Sequence, residues 1–187
     1  MKQEGGRMSF TKLLALLFPF FLLACISNDV KIVHKFVDKK VAGIPIGEYS
    51  EKLIFKKFGK GILVQEGHAV CYYVSKGDSY LVFEYGPDKF IESGIIIKKD
   101  YEKHYNECKA KETVADLRTG KGIKLGDSSE SVILIYGEPD KREVKNGILI
   151  FEYHTNSEKD PQVTLAYDAY LYFIKDKLVK LFIHDGE

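Results

Sequence analysis

Neither charge is in excess in this chain, whose 187 residues carry 28 lysines and arginines against 27 aspartates and glutamates. Nucleic-acid binding normally needs a clustered basic excess, so that class is set aside. The pairs Lys56-Lys57 and Lys98-Lys99 are isolated and read as solvated faces. A membrane-length apolar run is missing too: the stretch from Leu13 to Leu23 falls short of the ~20 residues a span needs, and Pro19 interrupts it. Cysteine is scarce, with three residues and no Cys-x-x-Cys, and the histidines at 34, 68, 104, 154 and 184 share no ligand spacing. A metal centre is therefore not expected. No His-Glu-x-x-His helix or Gly-x-Ser-x-Gly elbow occurs, and Gly120-Lys121-Gly122 lacks the spacing of a nucleotide-binding loop. No catalytic set and no cofactor are expected. Apolar residues make up 45% of the chain and aromatics 13%, enough for a core and against global disorder.

What is present begins with an address. Lys12 supplies a positive flank, an apolar stretch follows, and Leu22-Leu23-Ala24-Cys25 closes it. That tetrapeptide resembles the lipobox of bacterial lipoproteins. The resemblance implies removal of residues 1–24 and lipidation of Cys25, followed by a linker to residue 43. An uncleaved anchor helix and an ordinary signal peptide with an incidental cysteine are the competing readings. Met8 is an alternative start to Met1, and Ile26 after the cysteine favours, by analogy, an outer membrane facing the periplasm. Loss of the leader removes Lys2, Arg7, Lys12 and Glu4, so the 28 basic and 27 acidic groups become 25 and 26. Cys71 and Cys108 then remain, either as one disulfide worth ~3–4 kcal/mol in an oxidising envelope or as two buried thiols.

The chain also repeats itself. Ile44 to Lys60 and Ile123 to Pro139 both run apolar, any, apolar, Gly, acid, a hydroxyl residue, then Ser-Glu, an apolar stretch, an aromatic and Gly. Gly47 and Gly126 permit a tight turn. Asp127 or Ser128 is placed to cap a short helix, with Asp127 and Glu130 at capping-box spacing. Val132, Ile133 and Tyr136 form its apolar face, and Gly137 and Pro139 stop it. Ser50, Leu53, Ile54, Phe58 and Gly59 take those roles in the first copy.

Strand patterns follow each helix: Ala69–Val74, Tyr80–Tyr85 and Phe90–Lys98, then Ile148–Tyr153, Val163–Lys175 and Leu178–Ile183. Their short connections favour antiparallel hairpins. Further helical turns are expected at Ile32–Lys40 and Tyr101–Leu117. The expected fold is α+β, two α-β-β-β repeats forming one curved antiparallel sheet with helices on one face. Residues 44–100 hold the first repeat, 101–122 a connector and 123–187 the second.

Gly122-Ile123-Lys124-Leu125-Gly126-Asp127-Ser128 with Val132 and Tyr136-Gly137-Glu138-Pro139 is similar to the helix signature of the SmpA/OmlA group, which contains the small lipoprotein of the outer-membrane barrel-assembly machinery. The wider fold resembles that of the β-lactamase inhibitor protein, in which two such units join their strands. Two departures stand out: the barrel-assembly lipoprotein has a single unit, and the inhibitor uses interface tryptophans, of which this chain has none.

Along Val163 to Phe173, alternate residues point to opposite sides. Leu165, Tyr167, Ala169, Leu171 and Phe173 are expected against the helices. Thr164, Ala166, Asp168, Tyr170 and Tyr172 are expected on the open face, extended by Tyr80, Val82, Glu84 and one of Tyr72 and Tyr73. Tyrosines on an uncovered sheet suit protein recognition, although tyrosines also simply favour strands. The reading is a non-catalytic, envelope-anchored lipoprotein that binds an envelope protein through that face. A structural factor of outer-membrane assembly is the alternative, and a hydrolase in which Glu84 and Glu152 face each other is a further one.

Overall fold

The computed structural model describes residues 38–49, 51–86, 88–102, 105, 107–108, 116–155 and 166–186. Residues 1–37, with Cys25 and the leader, lie outside that set, as do Ser50 and Val163 to Leu165. The chain divides into residues 1–33 and 34–187, and the fold below belongs to the second unit.

Two glycine turns start the two halves. Gly47 and Gly126 have φ of +80° and +90°, a conformation that L side chains rarely adopt. The Gly47 amide donates to Ile91 O at 2.8 Å, and the Ile91 amide donates back to Glu48 O at 3.2 Å. Gly126 and Asp127 repeat that exchange with Leu178, at 2.8 and 2.9 Å. Each turn leads to an eight-residue helix, α1 (Glu51–Phe58) and α2 (Ser129–Tyr136). Ser128 is the cap of α2, its Oγ accepting from the Ser131 amide at 3.2 Å, while Asp127 instead accepts from the Lys124 amide. Asp176 completes that end from a distant turn, accepting from the Ser129 amide and hydroxyl at 3.0 and 2.6 Å. Gly59 and Gly137 end the helices at positive φ. Their carbonyls accept from the hydroxyls of Tyr72 and Tyr153, at 2.8 and 3.0 Å.

A short hairpin, β1 (Lys40–Val41) with β2 (Ile44–Pro45), precedes α1. Four strands follow α1: β3 (Ile62–Val64), β4 (Ala69–Val74), β5 (Ser79–Tyr85) and β6 (Ile91–Lys98). Four more follow α2: β7 (Lys141–Lys145), β8 (Ile148–Thr155), β9 (Ala166–Ile174) and β10 (Lys177–Gly186). All eight form one antiparallel sheet in the order β3-β4-β5-β6-β10-β9-β8-β7. The protein is α+β. The expected three strands per helix are corrected to four. β3 is only three residues long, and all of β7 is exposed and mostly charged, so neither shows an apolar alternation. Charge on such an outer strand discourages edge-to-edge pairing.

Both helices contribute to one buried cluster on one side of the sheet. Ile54 and Phe58 of α1 and Val132 and Tyr136 of α2 join Tyr72, Leu81, Phe83, Ile96, Phe151, Tyr153, Ala169, Leu171, Phe173, Leu181 and Ile183. Fully burying a side chain such as Ile54 stabilises by ~1.5–3 kcal/mol. Leu53, expected in this face, is instead 47% exposed. Gly94 sits in β6 opposite Ile183. A Cβ there would lie 2.7 Å from Val41 Cβ and 2.9 Å from Ile46 Cδ1, so only glycine lets the first hairpin rest on the sheet. Asp38, 4% exposed, ties that region to α2. Its carboxylate accepts from the Gly120 and Lys121 amides at 3.0 and 2.9 Å and from the Tyr136 hydroxyl at 2.8 Å. Lys40, placed in an expected helical turn, is in β1.

Candidate functional site

Among the described residues, the other side of the sheet is closed over its first half and uncovered over its second. Cys71 of β4 is joined to Cys108 by a disulfide with Cα atoms 5.7 Å apart. That bond holds the connector against β4, β5 and β6, where Tyr105 and Cys108 pack with Ala69, Tyr80, Val82, Ile95 and Ile97. Of the helical turns expected at 101–117, the described residues Tyr105, Glu107 and Cys108 have 3-10 geometry. Tyr80 was expected on an open surface and is instead fully buried, its ring 6.3 Å from that of Tyr105. Tyr73 is the tyrosine of its pair on this side, opposite Tyr80 in the neighbouring strand, while Tyr72 is in the helix-side core.

Strand register builds the uncovered half. Across β8, β9 and β10, Glu152 pairs with Tyr170 and Tyr170 with Phe182, and one step along, His154 pairs with Asp168 and Asp168 with His184. The second row continues through Ser93 of β6 to Glu84 of β5. Glu152, Asp168, Tyr170, Tyr172, Phe182 and His184 are all half-buried, and His154 is exposed. Three rings lie flat against one another. Tyr170 and His184 have centroids 5.8 Å apart at 7°, Phe182 and His184 5.1 Å apart at 21°, and Tyr170 and Phe182 5.9 Å apart at 26°.

Asp168 is shared between two imidazoles: its Oδ1 is 2.8 Å from His154 Nδ1 and its Oδ2 3.6 Å from His184 Nε2. The remaining nitrogen of His184 donates to the Asp185 carbonyl at 2.9 Å. Burial first, then the nearby carboxylates Asp168 and Glu152, raises the Tyr170 hydroxyl above its ordinary range, so it remains a neutral donor. Tyr172 lies at the margin, 6.3 Å from the Tyr101 ring and beneath Lys180, which is paired with Glu102 at 2.7 Å.

Beside the stack lies a groove of about 510 Å³ lined by Glu84, Glu92, Asp185, Ser93, His184 and Phe182, with Phe90 and Gly186 at its end. Ser93 Oγ donates to Glu84 Oε2 at 2.6 Å. Oδ1 of Asp185 is shielded from solvent and has no hydrogen-bond partner. Desolvation raises that carboxyl, with His184 acting in the opposite direction.

The structure therefore brings Asp168, Tyr170 and Tyr172 together, sets Glu84 at the groove and removes Tyr80. Glu84 and Glu152 do not face each other, because β6, β10 and β9 run between their strands. Four strand spacings amount to roughly 19 Å, too far for two carboxylates acting on one bond. His154 and His184 were missed as a pair, since only pairing through Asp168 makes them neighbours; their placement opposite Asp168 follows from hairpin register and not from spacing in the chain. Among the described residues no group of three or more histidines, cysteines or carboxylates is arranged to hold a metal ion.

No family model matches this chain, and no curated protein matches it. Among solved structures it is similar to a DUF4309 family protein, YjgB, from Bacillus subtilis, at 11% identity and a TM-score of 0.45, over 77% of this chain and 83% of that one. A likeness that distant carries no argument about function.

Proposed function

We propose that this protein is a non-catalytic docking module whose working surface is the uncovered half of the sheet. The observation that supports this most is the asymmetry of one continuous sheet. Its helix side is filled along both halves and its far side is sealed over the first half by the disulfide-held connector, leaving the Tyr170, Phe182 and His184 rings half-buried. Rigid aromatics on a flat sheet contribute large contact area at small entropic cost. The partner is an envelope protein in this reading, and the chain reaches it from a lipid anchor at Cys25, so Cys25→Ser should move the chain from the membrane to the soluble fraction.

We also infer that the two halves descend from one unit related to the SmpA/OmlA-like group. The matched Gly-acid exchanges with Ile91 and Leu178, and the matched tyrosine bonds to Gly59 and Gly137, support this. The test of the docking role is affinity recovery of the tagged full chain from envelope fractions. Tyr170→Ala and Phe182→Ala should each weaken retention of a co-purifying protein by ~2 kcal/mol, the scale of an interface hot spot, while Leu134→Ala on exposed α2 should not. Equal retention by all three variants would reject the surface.

A further inference from the structure

The docking surface has a definite charge. Among the described residues lining the groove there are three carboxylates, Glu84, Glu92 and Asp185, one imidazole, and no lysine or arginine. Cations elsewhere on this side of the second half are engaged: Lys141 lies 2.9 Å from Glu152 and Lys180 2.7 Å from Glu102. This is a local property. A second hollow of about 500 Å³, beside the Gly126 turn, is lined by Lys76, Lys98, Arg118 and Lys124 with a single carboxylate, Asp116. The chain as a whole is near neutral, so opposite charges have been sorted onto different surfaces.

We propose that the uncovered half-face receives an arginine-bearing extended segment of the partner protein, with a guanidinium seated in the groove beside Ser93 and His184. The proposal rests on the docking reading and names the chemistry of what docks. Two features fit that group. Glu84 lies across the groove with one oxygen committed to Ser93. The rings of Phe182 and His184 line the same groove as Glu84, with Tyr170 beside them, and a guanidinium lies flat on aromatic faces while its fork donates to carboxylates. A lysine offers a point charge in place of the planar fork, so arginine should be preferred. An acidic segment would meet carboxylates throughout the groove and is expected at the Lys76 and Lys124 hollow instead.

The test uses the isotope-labelled full chain and four blocked pentapeptides that differ at two positions, carrying arginine, lysine, citrulline or glutamate there. Chemical shifts of backbone amides report the site. The arginine peptide should shift Ser93, Phe182, His184 and Gly186 saturably, with the citrulline peptide ~10-fold weaker or more, because the charge and two of the five N–H donors are lost while the shape is kept. Glu84→Gln should reduce arginine-peptide affinity by a similar factor with the remaining spectrum unchanged. Equal binding of glutamate or citrulline peptides at those amides would overturn the charge assignment and leave the docking surface standing. Shifts confined to residues away from the half-face would overturn it too. If the same amides shift on concentrating the protein alone, the occupant is the basic outer strand of a second copy, and the partner proposal falls.

Discussion

At the scale of single residues, two aspartates behave in opposite ways. Asp38 is buried and satisfied by two amides and a tyrosine hydroxyl. Asp38→Ala would remove a charged acceptor from these three donors, of which the Gly120 amide keeps Lys40 O and the Tyr136 hydroxyl keeps Thr119 Oγ1, so denaturant titration should show a loss of about 1–3 kcal/mol. Tyr136→Phe should cost about 1 kcal/mol, and the two losses should not add, because both remove one shared bond. Asp185 is only half-buried, but one of its oxygens is shielded and has no hydrogen-bond partner. Desolvation holds its carboxyl above the ordinary value, so the folded state retains that proton more tightly than the unfolded chain. Its favourable contribution is complete below the ordinary aspartate range and is lost as pH rises through the raised value. Asp185→Asn should therefore be more stable than the parent at neutral pH, with the gap closing near pH 3 in a melting series. Asp176 has the reverse sign. The Ser129 hydroxyl and amide lower its carboxyl, so its cap on α2 is present above the ordinary range and fails as pH falls through the lowered value.

At the scale of elements, the disulfide and one glycine decide which surfaces are covered. Breaking Cys71–Cys108 with Cys108→Ser releases a loop of 37-residue separation, at a cost of about 3–4 kcal/mol in the chain-entropy model. It should also unseat Tyr105 from Tyr80, which increased binding of a hydrophobic dye would report. Gly94→Ala should cost about 1–3 kcal/mol in thermal melts, since its methyl would press on Val41 and Ile46. Helices and inner strands were legible in the chain because their letters are local. Ser128, Gly137 and the alternation from Tyr167 to Phe173 all do in space what their spacing implies. Two strands were not legible: three residues at Ile62–Val64 carry too little pattern, and Lys141–Lys145 is written in charge. Tyr80 was misplaced for a related reason. Its alternation is right, but the connector that covers it comes from elsewhere in the sequence, and alternation does not report what lies on top of a strand.

At the scale of the whole molecule, the order β3-β4-β5-β6-β10-β9-β8-β7 places the last strand of each half side by side at the centre. That seam brings Ser93 against His184 and so joins Glu84 to the Asp168 row, a juxtaposition invisible until the two halves pair. The candidate surface is thus half readable from β9 alone and half a product of assembly. Its covered and uncovered parts carry different burdens: the first half is sealed and fixed, and the second is left with aromatic rings toward solvent. The most direct test places a photoreactive amino acid at Tyr170, at Glu107 on the connector and at Leu134 on exposed α2, one at a time, in the full chain within cells. The account expects a discrete crosslinked adduct from position 170 alone. Adducts from positions 107 or 134 with none from 170 would contradict it.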